Sequence, residues 1–388
     1  MRKWYSLIDK VWDKERLMRS FQAVKANNGA PGVDGENVDD FALNLEERID
    51  QLHQELKTGQ YTPQAVKRVE IPKSDGKSTR KLGIPAVRDR VVQASLRSVL
   101  EPIFEPDFHP SSYGYRPGRS CQQAVAKAEQ FLNRYGLEYV VDMDLSKCFD
   151  RLDHDLILEQ VNQKVSDGSI LRLIRKFLTA GIMQCDGSIT ESEIGSAQGG
   201  VFSPLIANIY LDAFDQEMKR RGIRIVRYAD DILIFAKDKS QARQHLKIAT
   251  EILEGQLKLT INKEKTHITN VGEGVHYLGF VIYRKYVTIA PKKVKEFKKK
   301  IRKLTPRNSG KSILEIVREL NPVLRGWINY FRAANCQKLL DYLMGWIRRR
   351  LRMKKMKEWK TWKALHKELR RRGHQGEYQK ISVTTWKS

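Results

Sequence analysis

The stretch that decides the fold reads Arg227-Tyr228-Ala229-Asp230-Asp231-Ile232-Leu233-Ile234-Phe235. Two adjacent carboxylates precede an apolar, β-branched run, and this pattern predicts a hairpin over residues 223–236. The Asp-Asp pair contains no glycine and makes a poor two-residue turn, because the favoured hairpin turns need positive φ. A polar turn is one interpretation of the stretch taken alone. The other is that the two carboxylates have a role unrelated to the reversal of the chain.

Two further aspartates lie on a strand predicted over residues 139–145. Asp142 and Asp144 are two residues apart, so both face the same side of that strand. Carboxylates gathered from neighbouring strands are the ligands that a pair of Mg²⁺ ions needs in nucleotidyl transfer. The spacing alone leaves both aspartates as candidates for the third ligand.

The segments around these strands predict a mixed α+β fold. Apolar residues at helical spacing predict helices over 89–104, 122–132, 154–165 and 204–220. The first 60 residues are predicted to be helical, with a loop over 27–35. A basic hairpin is predicted over 65–85, with a turn signal at 73–76.

The chain beyond Val281 is predicted to contain basic amphipathic helices and no further strands. These helices cover residues 291–303, 312–320, 322–333 and about 336–352. The protein has 388 residues and a net charge of +25, and residues 284–388 contribute 31 Lys and Arg against 7 Asp and Glu, a net +24. An excess confined to one segment is typical of a surface that binds a polyanion.

Cysteines and histidines indicate neither disulfides nor a zinc site. The four cysteines form no C-x-x-C pair, and the eight histidines show no ligand spacing. No run of about 18 apolar residues occurs, and the N-terminus lacks the pattern of a signal peptide. We therefore expect a cytoplasmic protein with reduced thiols and no membrane partner.

Three ordered motifs resemble those of reverse transcriptases. Asp144-Leu145-Ser146-Lys147-Cys148-Phe149-Asp150 looks like the first catalytic motif of that family, and Tyr228-Ala229-Asp230-Asp231 looks like the second. Between them, Gln198-Gly199-Gly200-Val201-Phe202-Ser203-Pro204-Leu205 resembles the motif that contacts template and nucleotide. Its glycines would allow a backbone to approach substrate closely, and Ser203-Pro204 suit the cap and start of a helix.

The resemblance extends along nearly the whole chain and narrows to group II intron reverse transcriptases. The blocks that carry it are Gly32-Val33-Asp34-Gly35, Arg80-Lys81-Leu82-Gly83-Ile84-Pro85, Ser112-Tyr113-Gly114-Tyr115-Arg116-Pro117-Gly118, Leu259-Thr260-Ile261-Asn262-Lys263-Glu264-Lys265-Thr266, Tyr277-Leu278-Gly279-Phe280 and the maturase-like Arg325-Gly326-Trp327-Ile328-Asn329-Tyr330-Phe331. This implies a right-hand polymerase. Its N-terminal extension would cover 1–60, its fingers and palm 61–283, and its basic helical thumb with a short basic tail 284–388.

The resemblance implies an RNA-directed DNA polymerase that works by two-metal-ion nucleotidyl transfer and binds intron RNA in splicing and retrohoming. Two Mg²⁺ ions are the implied cofactors, with Mn²⁺ as a substitute. The implied partners are an RNA template, a DNA or RNA primer, dNTPs and structured intron RNA. A homodimer is a further expectation, as is a bacterial cytosolic protein that associates with the nucleoid when it acts on DNA.

Residue roles follow from the same resemblance. The implied catalytic residues and metal ligands are Asp144, Asp230 and Asp231, with Leu145 as a further metal ligand. Nucleotide binding is implied for Lys73, Arg80, Phe149, Gln198 and Lys265. Contact with template or primer is implied for Arg116, Gly199, Gly200, Tyr228 and Ala229.

Some of these roles have a physical rationale and a competing interpretation. Lys73 and Arg80 offer a mobile ammonium and a forked guanidinium to a triphosphate, but a solvated hairpin would carry them as well. Phe149 follows Asp144 by five residues, where the family carries a bulky aromatic that excludes a ribose 2′-hydroxyl. Ordinary core packing would also explain Phe149.

Other functions would use the same residues. A group II intron-like reverse transcriptase that serves its host in repair or defence would have the same active site. An RNA-binding splicing factor with a vestigial polymerase site is a second alternative, and the intact aspartates argue against it. Phe149 disfavours an RNA-dependent RNA polymerase. After about residue 352 there are no Cys pairs or nuclease-like His clusters, so no endonuclease domain is expected.

Overall fold

The N-terminal residues form four helices, as their helical pattern predicts. This computed structural model describes residues 3–72, 79–190, 194–196, 199–358 and 361–373. The first helices are α1 (Ile8–Val11), α2 (Lys14–Asn27), α3 (Val38–Leu43) and α4 (Leu45–Thr58). The predicted loop separates α2 from α3: Asn28 closes α2 in the left-handed region, and Asn37 starts α3 with a capping box.

The predicted basic hairpin is confirmed. Its strands are β1 (Val66–Pro72) and β2 (Thr79–Ile84), and they pair antiparallel. Residues 73–78 between them, including Lys73, lie outside the described residues. Two predicted helices follow, α5 (Val87–Phe104) and α6 (Cys121–Arg134).

The middle of the chain alternates strands and helices. In chain order these are β3 (Tyr139–Asp144), α7 (His154–Asn162), α8 (Gly168–Thr179), β4 (Ile182–Met183), β5 (Ile189–Thr190) and α9 (Ser203–Arg220). Pro204 lies in the first turn of α9, as predicted, but no side chain caps that helix. Instead, the hydroxyl of Ser203 forms a buried hydrogen bond of 2.9 Å with that of Ser196.

A four-stranded antiparallel sheet forms the centre of this part of the protein. After α9 come β6 (Ile225–Tyr228), β7 (Asp231–Ala236), α10 (Lys239–Thr250), a π-helical turn (Glu251–Gln256) and β8 (His267–Asn270). The order of strands across the sheet is β6-β7-β3-β8. The hairpin predicted over 223–236 is β6 and β7.

This sheet has an apolar face and a face that carries aspartates. Val141 and Met143 lie opposite Ile234 and Ile232 in the pairing of β3 with β7, and all four belong to the main hydrophobic core. Because side chains alternate along a strand, Asp142 and Asp144 lie on the other face. The core therefore determines which way these two aspartates point.

The chain divides into two compact units, Met1–Val275 and His276–Ser388. Three short strands, β9 (Val275–Tyr277), β10 (Phe280–Ile282) and β11 (Val287–Ile289), pair in the order β11-β10-β9. The expectation that strands end at residue 281 is wrong, because β11 has three residues and is too short to give a periodic signal. None of the described helices has the length and apolar composition needed to cross a membrane.

Four helices complete the described part of the second unit, as predicted in number but not in division. They are α11 (Pro291–Leu304), α12 (Ile313–Phe331), α13 (Gln337–Glu358) and α14 (Trp362–Arg371). Helix α12 runs through Pro322, where two separate helices were expected. Its apolar residues continue at helical spacing across the proline, and Trp327 stacks on Phe297 of α11 with ring centroids 4.3 Å apart. Packing therefore keeps α12 continuous despite the missing hydrogen bond.

Pro322→Ala should stabilise the second unit. The substitution restores a backbone N–H inside α12, where a proline removes one hydrogen bond and crowds the preceding turn, so the free energy of unfolding should rise by about 1–3 kcal/mol. Pro291→Ala is the matched control, because a proline in the first turn of a helix is well tolerated. Denaturation followed by tryptophan fluorescence measures both variants. Equal gains in the two would show that the position inside α12 is not the cause.

Candidate active site

The register of the central sheet places Asp144 opposite Asp231. Residues directly opposite in an antiparallel pair share a face, and their Cβ atoms lie about 4.5–5.5 Å apart. Asp142 lies two residues before Asp144 on β3, and its Oδ2 is 3.8 Å from Nε2 of His267. Of the two candidates on β3, Asp144 is therefore the one beside the Asp230-Asp231 pair.

A two-residue turn joins β6 to β7 and carries Asp230. Tyr228 pairs with Asp231, so the turn residues are Ala229 and Asp230. Ala229 has a φ of 58° and supplies the positive φ that favoured hairpin turns require. A non-glycine residue in this region costs about 1–3 kcal/mol and persists only where its surroundings enforce it. The Asp-Asp pair is thus not itself the turn, since Asp231 already begins β7.

The carboxylate of Asp144 is held by the loop that precedes β8. Asn262 donates a side-chain hydrogen bond to Asp144 Oδ2 at 3.1 Å, and Lys265 Nζ contacts the same oxygen at 3.0 Å. The backbone N–H of Asn262 donates to the Asp144 carbonyl at 2.9 Å, and Leu145 forms a single antiparallel bridge with Ile261. This loop extends the pairing at the end of β3 and orients the carboxylate.

Burial and neighbouring charges raise the pKa of Asp231, Asp230 and Asp142. Desolvation raises the pKa of Asp231 to about 7, and the charges of Asp230 and Asp144 add to the shift while Lys265 opposes it. Desolvation also raises the pKa of Asp230, and Arg80 and Lys265 lower it. Asp142 has a pKa raised to about 6, mainly by desolvation. Several carboxylates that compete for ionisation in one place favour the binding of a cation.

A cleft of about 830 Å³ opens beside Asp144 and Asp230. Its lining includes the basic residues Arg68, Arg80, Lys81, Lys147, Arg151 and Lys265. Asp150 lines the cleft as well, and carboxylates bordered by basic side chains suit a triphosphate that carries divalent metal. Arg80 and Lys265, both predicted to bind nucleotide, therefore line the same cleft as Asp144 and Asp230.

Phe149 belongs both to the core and to the wall of the cleft. It is 9% exposed and packs in the main hydrophobic core, yet it also lines the cleft. Its ring meets that of Tyr115 edge-on, with centroids 6.4 Å apart. The steric interpretation and the core-packing interpretation of this residue are therefore compatible.

The glycine-rich motif has a structural contact that the sequence did not indicate. Gly199 has a φ of 124°, and a Cβ there would lie 2.4 Å from the carbonyl oxygen of Gly83 on β2. The close approach is thus to the backbone of the basic hairpin, while the neighbouring Gly200 is buried. Gln198, like Lys73, lies outside the described residues.

Arg116, expected to contact template or primer, is used inside the protein. Its guanidinium donates to the carboxylate of Glu105 at 2.9 Å and to the carbonyl oxygens of His109 and Ser112, both at 2.8 Å. Only 3% of its side chain is exposed. The structure therefore gives Arg116 a role in closing its own loop and leaves the template contact without support. Sequence could not reveal this, because the acceptors are mostly backbone carbonyls.

Sequence reasoning missed Asn262, although it lies in one of the motif blocks. Its hydrogen bond to Asp144 spans 118 residues along the chain. Such a contact depends on how the loop pairs with the end of β3, and no local pattern shows that. The only available signal was a polar residue that directly follows the apolar Ile261.

The donor set at the site fits Mg²⁺ in its chemistry. Asp144, Asp230 and Asp231, termed the aspartate triad below, offer the hard carboxylate oxygens that Mg²⁺ prefers. Lys265 neutralises part of this charge through its ion pair with Asp144. Within the described ranges, no three acidic, histidine or cysteine side chains already converge on an ion position.

Comparison with known proteins assigns the chain to a family. The family model for reverse transcriptase, an RNA-dependent DNA polymerase, matches residues 71–282, and the model for the group II intron maturase-specific domain matches residues 294–373. Protein YkfC of Escherichia coli K12 is 34% identical over 72% of this chain and 83% of that protein. The group II intron-encoded protein LtrA of Lactococcus lactis subsp. cremoris is 30% identical over 68% of this chain and 54% of that protein.

The chain belongs to the reverse transcriptase family of RNA-directed DNA polymerases. Within that family it is of the group II intron type, in which a maturase-specific domain follows the polymerase. It spans about half the length of LtrA. A solved telomerase from Candida albicans has a TM-score of 0.46 at 15% identity, over 79% of this chain and 62% of that one. That likeness is too loose to add to the assignment.

Asp231→Asn should stabilise the metal-free protein at neutral pH and less so in acid. The folded-state pKa of about 7 lies above the ordinary value of 3.8, so Asp231 takes up a proton on folding and destabilises the fold as pH rises toward 7. The gain in free energy of unfolding over wild type should therefore grow from about pH 5 to about pH 8 in EDTA. Urea denaturation measures it. Glu47→Gln, at an exposed position on α4, is the control and should show no such trend. A stability gain in Asp231→Asn that does not change with pH would contradict the raised pKa of Asp231.

Proposed function

We propose that this chain synthesises DNA on an RNA template at the aspartate triad, and that it binds structured intron RNA in splicing and retrohoming. The observation that carries the first part is the register of β3 with β7, which sets Asp144 opposite Asp231 beside a basic cleft. The match of the maturase-specific domain to residues 294–373 supports the second part. Primer extension on an RNA template is the test of the first part.

In this proposal each group around the cleft has a separate role. Mg²⁺ held by the aspartate triad and the backbone oxygen of Leu145 would stabilise charge on the attacking oxygen and the leaving pyrophosphate. Arg80 would bind the triphosphate through its forked guanidinium. Lys265 would exchange its ion pair with Asp144 for a contact with the incoming nucleotide. Phe149 would occupy the space that a ribose 2′-hydroxyl needs.

The second unit supplies the charge that RNA binding requires. Lys292, Lys295 and Lys299 are exposed on α11 and stand among the 31 basic residues of positions 284–388. Trp346 on α13 is 7% exposed and packs against α11 and α12. Trp346 therefore belongs to the core of this unit, and we assign RNA affinity to the basic faces.

Asp144→Asn should abolish primer extension and leave RNA affinity nearly unchanged, because an amide does not supply the anionic oxygen that Mg²⁺ needs. Asp230→Asn should behave in the same way. Asp142→Asn is the matched control: it lies on the same face of β3 but outside the aspartate triad, and should retain most activity. Extension rates and RNA dissociation constants measure the three variants. Equal loss in Asp142→Asn would mean that the third ligand is misassigned.

Phe149→Ala should relax the choice of sugar. If steric exclusion by this ring costs about 1–3 kcal/mol, its removal should raise the ratio of rNTP to dNTP kcat/KM about 10- to 100-fold. Because the ring is also in the core, the melting temperature should fall as well. Phe104→Ala, a buried phenylalanine of α5, is the matched control and should lose stability with an unchanged ratio. An unchanged ratio in Phe149→Ala would leave core packing as the whole role of this residue.

Neutralising α11 should flatten the salt dependence of RNA binding. Each phosphate contact contributes about 0.7–0.9 to the slope of log K against log salt. Lys292, Lys295 and Lys299 changed together to Gln should therefore lower the slope by about 2 if each lysine meets one phosphate. The same change at Lys237, Lys239 and Lys247, around α10, is the matched control. A larger effect in the control would move the RNA surface to the first unit.

A further inference from the structure

Arg227 on β6 is the largest fully buried side chain among the described residues. Its partner is Asp215 on α9: Nε donates to both carboxylate oxygens at 2.9 Å, and Nη2 donates to Oδ2 at 2.6 Å. Neither side chain has any exposed surface. Burial disfavours the guanidinium charge, but Asp215 outweighs it and keeps the pKa of Arg227 above its ordinary value.

The remaining donor of Arg227 reaches the turn between β6 and β7. Nη1 donates to the carbonyl oxygen of Ala229 at 3.1 Å and to Oδ1 of Asn208 at 3.0 Å. The carbonyl of Ala229 belongs to the peptide that joins Ala229 to Asp230, in the middle of the turn. A fixed, buried cation therefore holds the peptide that leads directly into the aspartate triad.

The orientation of that peptide distinguishes the two favoured turns of two-residue hairpins. A type II′ turn has positive φ at its first central residue, and a type I′ turn has positive φ at both. Ala229 has a φ of 58° and Asp230 does not have a positive φ, as in type II′. A flip of the middle peptide would interconvert the two forms. It would turn the Ala229 carbonyl away from Arg227 and redirect Asp230.

Gly114 contacts the same turn through its backbone. A Cβ at this position would lie 2.3 Å from the backbone nitrogen of Ala229, so no larger residue fits without a shift. Asn208 donates to the carbonyl of Gly114 at 2.9 Å and accepts from Arg227. One buried asparagine thus links the two groups that contact Ala229.

We propose that Arg227, neutralised by Asp215 and braced by Asn208, is a positioning residue that keeps the Ala229–Asp230 peptide in one orientation. It thereby sets the direction of the carboxylates of Asp230 and Asp231. This role rests on the proposed function, because it supposes that these carboxylates bind metal. It differs from the role of the metal ligands themselves, since Arg227 acts only through the turn.

A purely structural role for the pair makes a different prediction. Apolar residues of similar volume often replace a buried ion pair without loss of stability, whereas removing one partner alone leaves a buried charge unpaired. If Arg227 only neutralises Asp215, a compensated apolar pair should restore everything. If Arg227 positions the turn, the apolar pair should restore stability and leave the site misdirected.

The test compares Arg227→Lys with the double variant Arg227→Met and Asp215→Leu. Lysine keeps the charge but lacks the fork that reaches Asp215 and Ala229 together. We expect both proteins to bind Mn²⁺ about 10-fold more weakly, and kcat for primer extension to fall roughly 100-fold with KM for dNTP within about threefold. Electron paramagnetic resonance of free Mn²⁺, without nucleotide, measures the affinity. Wild-type Mn²⁺ affinity and kcat in a stably folded double variant would overturn the proposal.

Gly114→Ala perturbs the turn with the ion pair intact and gives a second test. It should also weaken Mn²⁺ binding and lower kcat, and wild-type values of both would overturn the proposal even if the Arg227 variants fail to fold. Tyr61→Phe is the control: it removes a buried 2.6 Å hydrogen bond to Asp89 and should lower the melting temperature only. A wild-type protein that extends no primer would refute the proposed function alone, because Mn²⁺ affinity still decides the role of Arg227.

Discussion

The pairing of β3 with β7 is the constraint on which the rest of the site depends. Side chains alternate along both strands, so a slip of one residue would move Asp144 into the core and expose Met143 to water. The apolar face of the sheet, which includes Val141 and Ile232, opposes such a slip because its burial would be lost. The core thus fixes the register, and the register brings Asp144 next to Asp231.

The site contains a backbone conformation and a cluster of charges that each cost free energy. Ala229 adopts a strained backbone conformation, and the pKa of Asp231 is raised to about 7 by desolvation and by its acidic neighbours. Lys265 neutralises part of the negative charge through its ion pair with Asp144, and Arg227 donates a hydrogen bond to the carbonyl of Ala229 in the strained turn. Proteins commonly accept such local costs where function needs them, and the surrounding fold supplies the stability. Metal binding would remove the same repulsion that the free protein carries.

Local patterns predicted most of the elements, whereas the choice of Asp144 over Asp142 for the aspartate triad came from the resemblance to reverse transcriptases. The β6–β7 hairpin, the basic hairpin and the helices α5, α6 and α9 each carry their own periodicity or turn signal. A single sequence was therefore enough to predict them. The contacts that orient the site were not predictable, because they join residues far apart in the chain, as Asn262 with Asp144 and Arg227 with Asp215 do. Arg116 shows the same limit, since most of its acceptors are backbone carbonyls, which carry no sequence signal. The helix break expected at Pro322 is absent for a different reason: tertiary packing of α12 outweighed the local tendency of proline to end a helix.

The most direct test of the central claim is a crystal structure of the protein with an RNA template, a DNA primer, a nonhydrolysable dNTP and Mn²⁺, with the ions located by anomalous scattering. The site described here predicts two manganese peaks about 3.5–4 Å apart, with carboxylate ligands from the aspartate triad. Asp142 should remain on His267 and outside the coordination shell. Manganese bound through Asp142 in place of Asp144, or an aspartate triad without manganese in a complex that holds the dNTP, would contradict it.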